Sequence, residues 1–126
     1  MHITLESDYA VRIVERLAAA DGRRGAAALA EEARVPPRFA LKIMRKLTAA
    51  GIVTSFKGAH GGYTLARPAD QITMRQVIEA MEGPYRLSRC LEDGYTCSCA
   101  PGICSFHAVY DRISRMVADE LDKVHF

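Results

Sequence analysis

Between Ala33 and Ala69 this 126-residue chain has no acidic residue. The same interval holds Arg34, Arg38, Lys42, Arg45, Lys46, Lys57 and Arg67, seven positive charges. Of 17 basic residues in all, that leaves 10 to set against 15 acidic ones elsewhere, so the middle is +7 and the remainder −5. A basic block inside an otherwise acidic chain is an electrostatic footprint for a polyanion, although a solvated basic face has the same composition. Long apolar runs are also lacking. Stretches such as Ala26 to Ala30 fall far short of the roughly 20 residues that a spanning helix needs. Glu6, Asp8, Arg12, Glu15 and Arg16 interrupt the first apolar pattern, which argues against a secretory leader and for the cytoplasm. No paired-carboxylate, nucleophile–base or phosphate-cradling motif stands out, and there is no internal repeat, so an enzyme is not expected.

What is present is a series of helix and strand signals. Ser7 is a candidate cap for a first helix to about Ala20, with Ala10, Ile13, Val14 and Leu17 on one face. A short second helix is expected over about Ala28 to Ala33. Val35-Pro36-Pro37 forces a turn, and proline suits the first turn of a third helix from about Pro37 to Ala50. Gly51 stands where a left-handed cap is expected. Ile52 to Phe56 and Tyr63 to Leu65 read as two strands around a Gly58-Ala59-His60-Gly61-Gly62 turn. Thr73 caps a fourth helix to about Met81, and Gly83-Pro84 breaks it. A last helix starts near Cys104.

Two short helices, a longer one and a hairpin make the order of a winged helix-turn-helix, in which the third helix enters the major groove of double-stranded DNA. Arg38, Lys42, Arg45 and Ala49 fall on one face of that helix, and Ala40, Ile43, Met44 and Leu47 on the other. Arginine and lysine there meet phosphates or guanine edges. Lys57 and His60 flank a glycine-rich tip, where Gly61 allows close backbone approach, and a narrow minor groove attracts such cations. With Arg34 and Lys46 these residues form the expected DNA-binding set. The fold class is therefore mostly α with a small β-hairpin. A winged helix-turn-helix spans 1–83, a cysteine-rich sensor loop 84–103 and a dimerisation helix 104–126. In the last of these Phe106, Tyr110, Ile113, Val117, Leu121 and Val124 make a near-heptad seam expected to pair with a second copy.

All four cysteines, Cys90, Cys97, Cys99 and Cys104, lie within this loop and its exit. In a reducing compartment they read as metal-binding or redox-active rather than as structural disulfides. Three readings stay open: an iron–sulfur cluster, structural zinc, or a metal-free thiol switch. A small thiol oxidoreductase is a fourth, poorly matched one, because Cys97 and Cys99 have one intervening residue and no βαβ pattern surrounds them. His107 follows Cys104 by one helical turn and is a candidate ligand.

Several of these segments together resemble the Rrf-type winged-helix repressors. They are Thr4 with Asp8-Tyr9-Ala10-Val11-Arg12, Leu29-Ala30-Glu31, Leu47 to Val53, Gly58 to Leu65 with its Gly-Gly-Tyr, Ile72-Thr73 to Glu82-Gly83, and Cys104-x-x-His107. The resemblance covers nearly the whole chain. It implies a homodimer that reads a roughly two-fold operator and a loop that holds a two-iron or four-iron cluster, with nitric oxide or oxygen as the signal. It also implies a fourth ligand that differs among members: the histidine at His107 in some, an aspartate of the other subunit, here Asp8, in others. Read without the resemblance, Asp8 is a first-turn residue favoured by the helix dipole. Cys90, Cys97 and Cys104 are separated by six residues each way, a wider spacing than is usual in the family, and Cys99 is an additional thiol that stands as an alternative ligand to Cys97, its spacing to Cys104 being tighter.

Overall fold

The computed structural model describes residues 2–98 and 104–126. Helix α1 (Leu5–Ala19) is capped by Thr4, whose Oγ1 accepts from the Ser7 backbone N–H at 3.2 Å. Ser7, expected as the cap, is instead fully buried inside the first turn. Both residues carry a capping hydroxyl, and the choice falls to Thr4 because its backbone is the extended one. The Thr4 N–H donates to Glu82 Oε1 at 2.6 Å, so the start of α1 is tied to a residue far along the chain.

Helix α2 (Ala26–Ala33) begins two residues earlier than its composition suggests and ends at Arg34, whose φ of 54° is left-handed. This turns the chain into α3 (Pro37–Ala49), with Pro37 in the first turn. At the far end the Gly51 N–H bonds to the Thr48 carbonyl and the Ile52 N–H to the Leu47 carbonyl, both at 3.0 Å, while Gly51 takes φ 72°. This pair of bonds is a Schellman cap, and it needs the left-handed residue that glycine supplies. It delivers buried Ile52 beneath α3 and starts the hairpin.

Strands β1 (Val53–Phe56) and β2 (Gly62–Leu65) pair antiparallel, Val53 opposite Leu65 and Phe56 opposite Gly62. A third segment joins them: Arg24 and Tyr63 exchange both backbone bonds, at 3.0 and 2.8 Å. The hairpin is therefore attached to the loop between α1 and α2. Helix α4 (Met74–Glu82) opens with a full capping box of Thr73 and Gln76 and runs one residue beyond the expected Met81 to stop at Gly83. Helix α5 (Ser105–Asp122) packs on α4. Beyond it the chain folds back, and the Val124 carbonyl accepts from the Met74 N–H at 2.8 Å.

The core lies between α1, α2, α3 and α4. Ile13, Val14, Leu29, Ile43, Met44, Leu47, Ile52, Ile72 and Val77 are all fully buried there. Each contributes about 1.5–3 kcal/mol by leaving water. This core fixes the roll of α3 about its axis, and so decides which side chains face outward.

Candidate nucleic-acid interface and cysteine loop

The inward face of α3 is Ala40, Ile43, Met44 and Leu47, as the periodicity predicts. Arg38, Lys42 and Arg45 consequently stand exposed along the opposite edge. The Arg38 guanidinium lies 5.0 Å from the Phe39 ring centroid. Arg45 borders a shallow hollow of about 320 Å³ between α3 and the hairpin, lined also by Thr48, Ala49, Ser55 and Tyr63. Arg34 is exposed in the turn before α3.

Lys46, expected in the DNA-binding set, is engaged within the chain. Its ammonium is 3.0 Å from Glu6 Oε1 and 3.4 Å from the Met81 carbonyl, so it staples α3 to α1 and α4 and leaves the outer edge. Lys42 lies 3.6 Å from the same carboxylate but keeps a mostly exposed side chain. Arg67, at the other end of the basic interval, bonds the Gly51 carbonyl and Gln76 Oε1, both at 3.1 Å, and is likewise structural. A count of charges along the chain has no means of separating these staples from the exposed cations.

Lys57 and His60 sit exposed at the hairpin tip. The tip is closed by a bond from the Gly61 N–H to the Gly58 carbonyl at 2.9 Å. A side chain at Gly61 would lie 2.5 Å from the Phe56 carbonyl oxygen, so this glycine is required by the turn itself. Sequence reasoning missed Arg23, which lies before the basic interval. Its guanidinium stacks 3.6 Å from the Phe56 ring centroid, and Nη1 donates to the His60 carbonyl at 3.1 Å.

The cysteine loop leaves α4 at Gly83. A short 3₁₀ turn, Arg89–Leu91, is capped by Ser88 and carries Cys90, which is half-buried. Cys97 is exposed, and Cys104 is half-buried at the N-cap of α5. Cys99, an expected ligand, lies outside the described residues, as do Pro101 and Gly102 of the same loop. His107 is exposed, and its backbone N–H bonds the Cys104 carbonyl at 3.3 Å. Asp8 pairs with Arg12 at 2.6 Å, one helical turn on. Among the described residues no three His, Cys, Asp or Glu side chains come together to hold a metal ion. The donor set suits a soft metal in its chemistry, but the described residues do not arrange it around one centre.

Helix α5 turns most of the expected seam partly toward its own chain. Its fully inward residues are small, Ser114 and Ala118. Ser114 Oγ accepts from the Leu87 N–H at 2.9 Å and donates to the Tyr110 carbonyl at 2.8 Å. Tyr110, Ile113, Val117 and Leu121 are half-buried, whereas Phe106 and Met116 are 65% and 59% exposed, with Val109 also outward. Val124, placed in the seam by spacing, lies beyond the end of the helix. Near the C-terminus of α5 Arg75 bonds Asp122 at 2.8 Å. The bond to Asp122, then that to Glu79, raises the Arg75 pKa, and Arg75 holds the Asp122 carboxyl below the usual carboxylate range.

Comparison with known proteins gives this geometry a context. Residues 3–126 match the model of the Rrf2 family, described as iron-dependent transcriptional regulators. A protein of Neisseria meningitidis serogroup A assigned as an HTH-type transcriptional regulator is 30% identical over 127 residues, covering 98% of this chain and 84% of that protein. The chain spans a smaller share of other curated relatives, 62% of the length of one from Rhizobium meliloti that is 36% identical. Among solved structures, CymR, the global cysteine regulator of B. subtilis, superimposes with a TM-score of 0.79 at 26% identity, over 99% of this chain and 92% of that one. IscR of T. potens superimposes with a TM-score of 0.78 at 20% identity, over 99% and 82%. The family and the Neisseria relative are described as transcriptional regulators rather than enzymes, and no helix among the described residues is long and apolar enough to cross a membrane. A match that takes in all but the first two residues, on a winged-helix fold with its cations turned outward, leads to one assignment: the chain belongs to the Rrf2 family of transcriptional regulators.

Proposed function

We propose that this chain is a homodimeric repressor that reads a two-fold DNA operator and whose cysteine loop sets its affinity for that operator. The observation that carries the reading is the exposed Arg38–Lys42–Arg45 edge of α3 beside a wing bearing Lys57 and His60. Helix α3 supplies contacts to the major groove, and the wing supplies cations to the flanking minor groove. Dimerisation is supported by the apolar line Phe106, Val109 and Met116 on α5, a surface that water disfavours and a second α5 would cover.

The family description as iron-dependent favours an iron–sulfur cluster in the loop. Cys90, either Cys97 or Cys99, and Cys104 would hold it, with either His107 or the partner subunit's Asp8 as the fourth ligand. When bound, such a cluster supplies a centre that reacts with nitric oxide or oxygen and is lost with iron. This chain's own residues supply the connection. Cys104 stands at the N-cap position of α5, directly before the first turn that carries Phe106, so order imposed on the loop is passed to that turn. Differential DNA affinity of the two loop states is what makes a switch.

A metal-free thiol switch is the second reading. It is favoured by the structural likeness to CymR, a global cysteine regulator. One preparation separates the two. Protein purified without oxygen is assayed for iron, sulfide and zinc, and for binding to a duplex enriched from a random-sequence pool. Brown protein whose operator affinity changes as nitric oxide bleaches it supports the cluster. Colourless protein whose affinity changes on thiol oxidation supports the switch, and stoichiometric zinc with no redox response rejects both. If the wild-type protein enriches no duplex even at low salt, the DNA reading fails.

A further inference from the structure

The wing is not a free hairpin, because two consecutive residues of the α1–α2 loop hold it. Arg24 does so through its backbone, exchanging both bonds with Tyr63 on β2. Gly62 makes room for this contact: a side chain there would lie 2.9 Å from the Arg24 carbonyl oxygen. Arg24 is itself anchored by an ion pair with Glu32 of α2. Arg23 acts through its side chain, its guanidinium 3.6 Å from the Phe56 ring centroid and its Nη1 donating to the His60 carbonyl. The first contact grips the end of β1 and the second grips the backbone of the tip itself, at His60.

A short two-stranded hairpin is at best marginally stable alone in water. Without the clamp, the pose of Lys57 and His60 would have to be fixed when DNA binds, and that ordering would cost affinity. A planar guanidinium is suited to the clamp because it stacks on an aromatic face while still donating in its own plane, which an ammonium does not do.

We propose that Arg23 is a positioning residue for DNA recognition. By stacking on Phe56 and bonding the His60 carbonyl, it holds the wing in its DNA-reading pose before DNA arrives. The inference rests on the DNA-reading function proposed above and assigns a role in it to a residue outside the basic interval.

The test uses the full chain and a duplex enriched from a random-sequence pool by the wild-type protein. Arg23→Ala is expected to weaken binding roughly tenfold, and Phe56→Leu, which leaves every charge in place, to weaken it similarly. Arg23→Lys keeps the charge and is expected to stay impaired. In a Lys57→Ala/His60→Ala background, where the wing has nothing left to position, Arg23→Ala is expected to cost less than about twofold. Amide exchange at Gly61 should accelerate in Arg23→Ala and Phe56→Leu while exchange in α3 is unchanged. Full affinity in Arg23→Lys would overturn the proposal, since charge alone would then suffice. So would an equal loss in the wing-stripped background, which would make Arg23 an independent phosphate contact. Should Arg23→Ala fail to fold, Phe56→Leu and Arg23→Lys carry the same distinctions. Arg38→Ala separates the two levels: if it weakens binding and the Arg23 variants do not, this inference fails and the DNA reading stands. If neither weakens binding, the DNA reading fails.

Discussion

Helices α3 and α5 are both amphipathic, yet they use their apolar residues in opposite ways. On α3 the large apolar side chains Ile43, Met44 and Leu47 are fully buried in the chain's own core, and the outward edge is cationic. On α5 the fully buried positions are Ser114 and Ala118, and large apolar residues face outward. Helix α3 is thus completed within its own chain and offers charge to a polyanion. Helix α5 docks through Ser114 and Ala118 with Tyr110, Ile113, Val117 and Leu121 half-buried around them, and leaves Phe106, Val109 and Met116 outward. Amphipathic periodicity establishes that a helix has two faces, but not which of them the chain will cover.

That contrast can be broken from either side. The largest effect is expected from Leu47→Ala, which opens the core beneath α3 and should cost about 2–5 kcal/mol in urea or thermal unfolding. A matching change on α5, Met116→Ala, should leave the unfolding of the isolated chain nearly unchanged. Equal destabilisation by both would erase the difference. Next, Phe106→Asp with Met116→Asp should convert a dimer into a folded monomer in sedimentation while the helical signal is retained. A persisting dimer would mean that another surface pairs the subunits. Smaller effects are expected on the charged edge. Arg38→Ala and Lys42→Ala should each weaken operator binding by roughly tenfold and lower the salt slope by about one, whereas Lys46→Ala should lower stability and leave the slope alone.

The smallest effect concerns acid. The Asp122 carboxyl is held below its ordinary value by its hydrogen bond to Arg75, so the bond's stabilisation is fully present above that ordinary value. It is lost as the pH falls through the depressed one. In thermal unfolding followed by helicity across an acid titration, Asp122→Asn should therefore be the less stable at neutral pH, with the gap to the wild type closing as the pH falls below about 4, so that the variant shows the shallower acid loss. A gap that persists unchanged into acid would mean that the carboxylate does not act through its charge.

Much of the DNA-reading half is legible in the sequence, because its signals are local. The apolar spacing of α3, Pro37 in its first turn and Gly51 at its end each act within a few residues, and the capping box of Thr73 does the same for α4. The misreadings concern choices between chemically similar candidates. Thr4 and Ser7 both carry a capping hydroxyl, and only the path of the chain into α1 selects Thr4. Lys42 and Lys46 are four residues apart on one helix, and Glu6 of α1 takes Lys46 as its nearer partner. Arg23 carried no signal, because its partners Phe56 and His60 are more than 30 positions away.

The sequence by itself determined the order of elements, the glycine-dependent turns at Gly51 and Gly61 and the gathering of thiols in one loop, since each follows from backbone sterics, short-range periodicity or composition. Tertiary structure alone decided which cations stay exposed, which face of α5 is left outward and what holds the wing. Those outcomes depend on how separate helices dock, and docking is set by the summed burial of many distant side chains rather than by any local pattern.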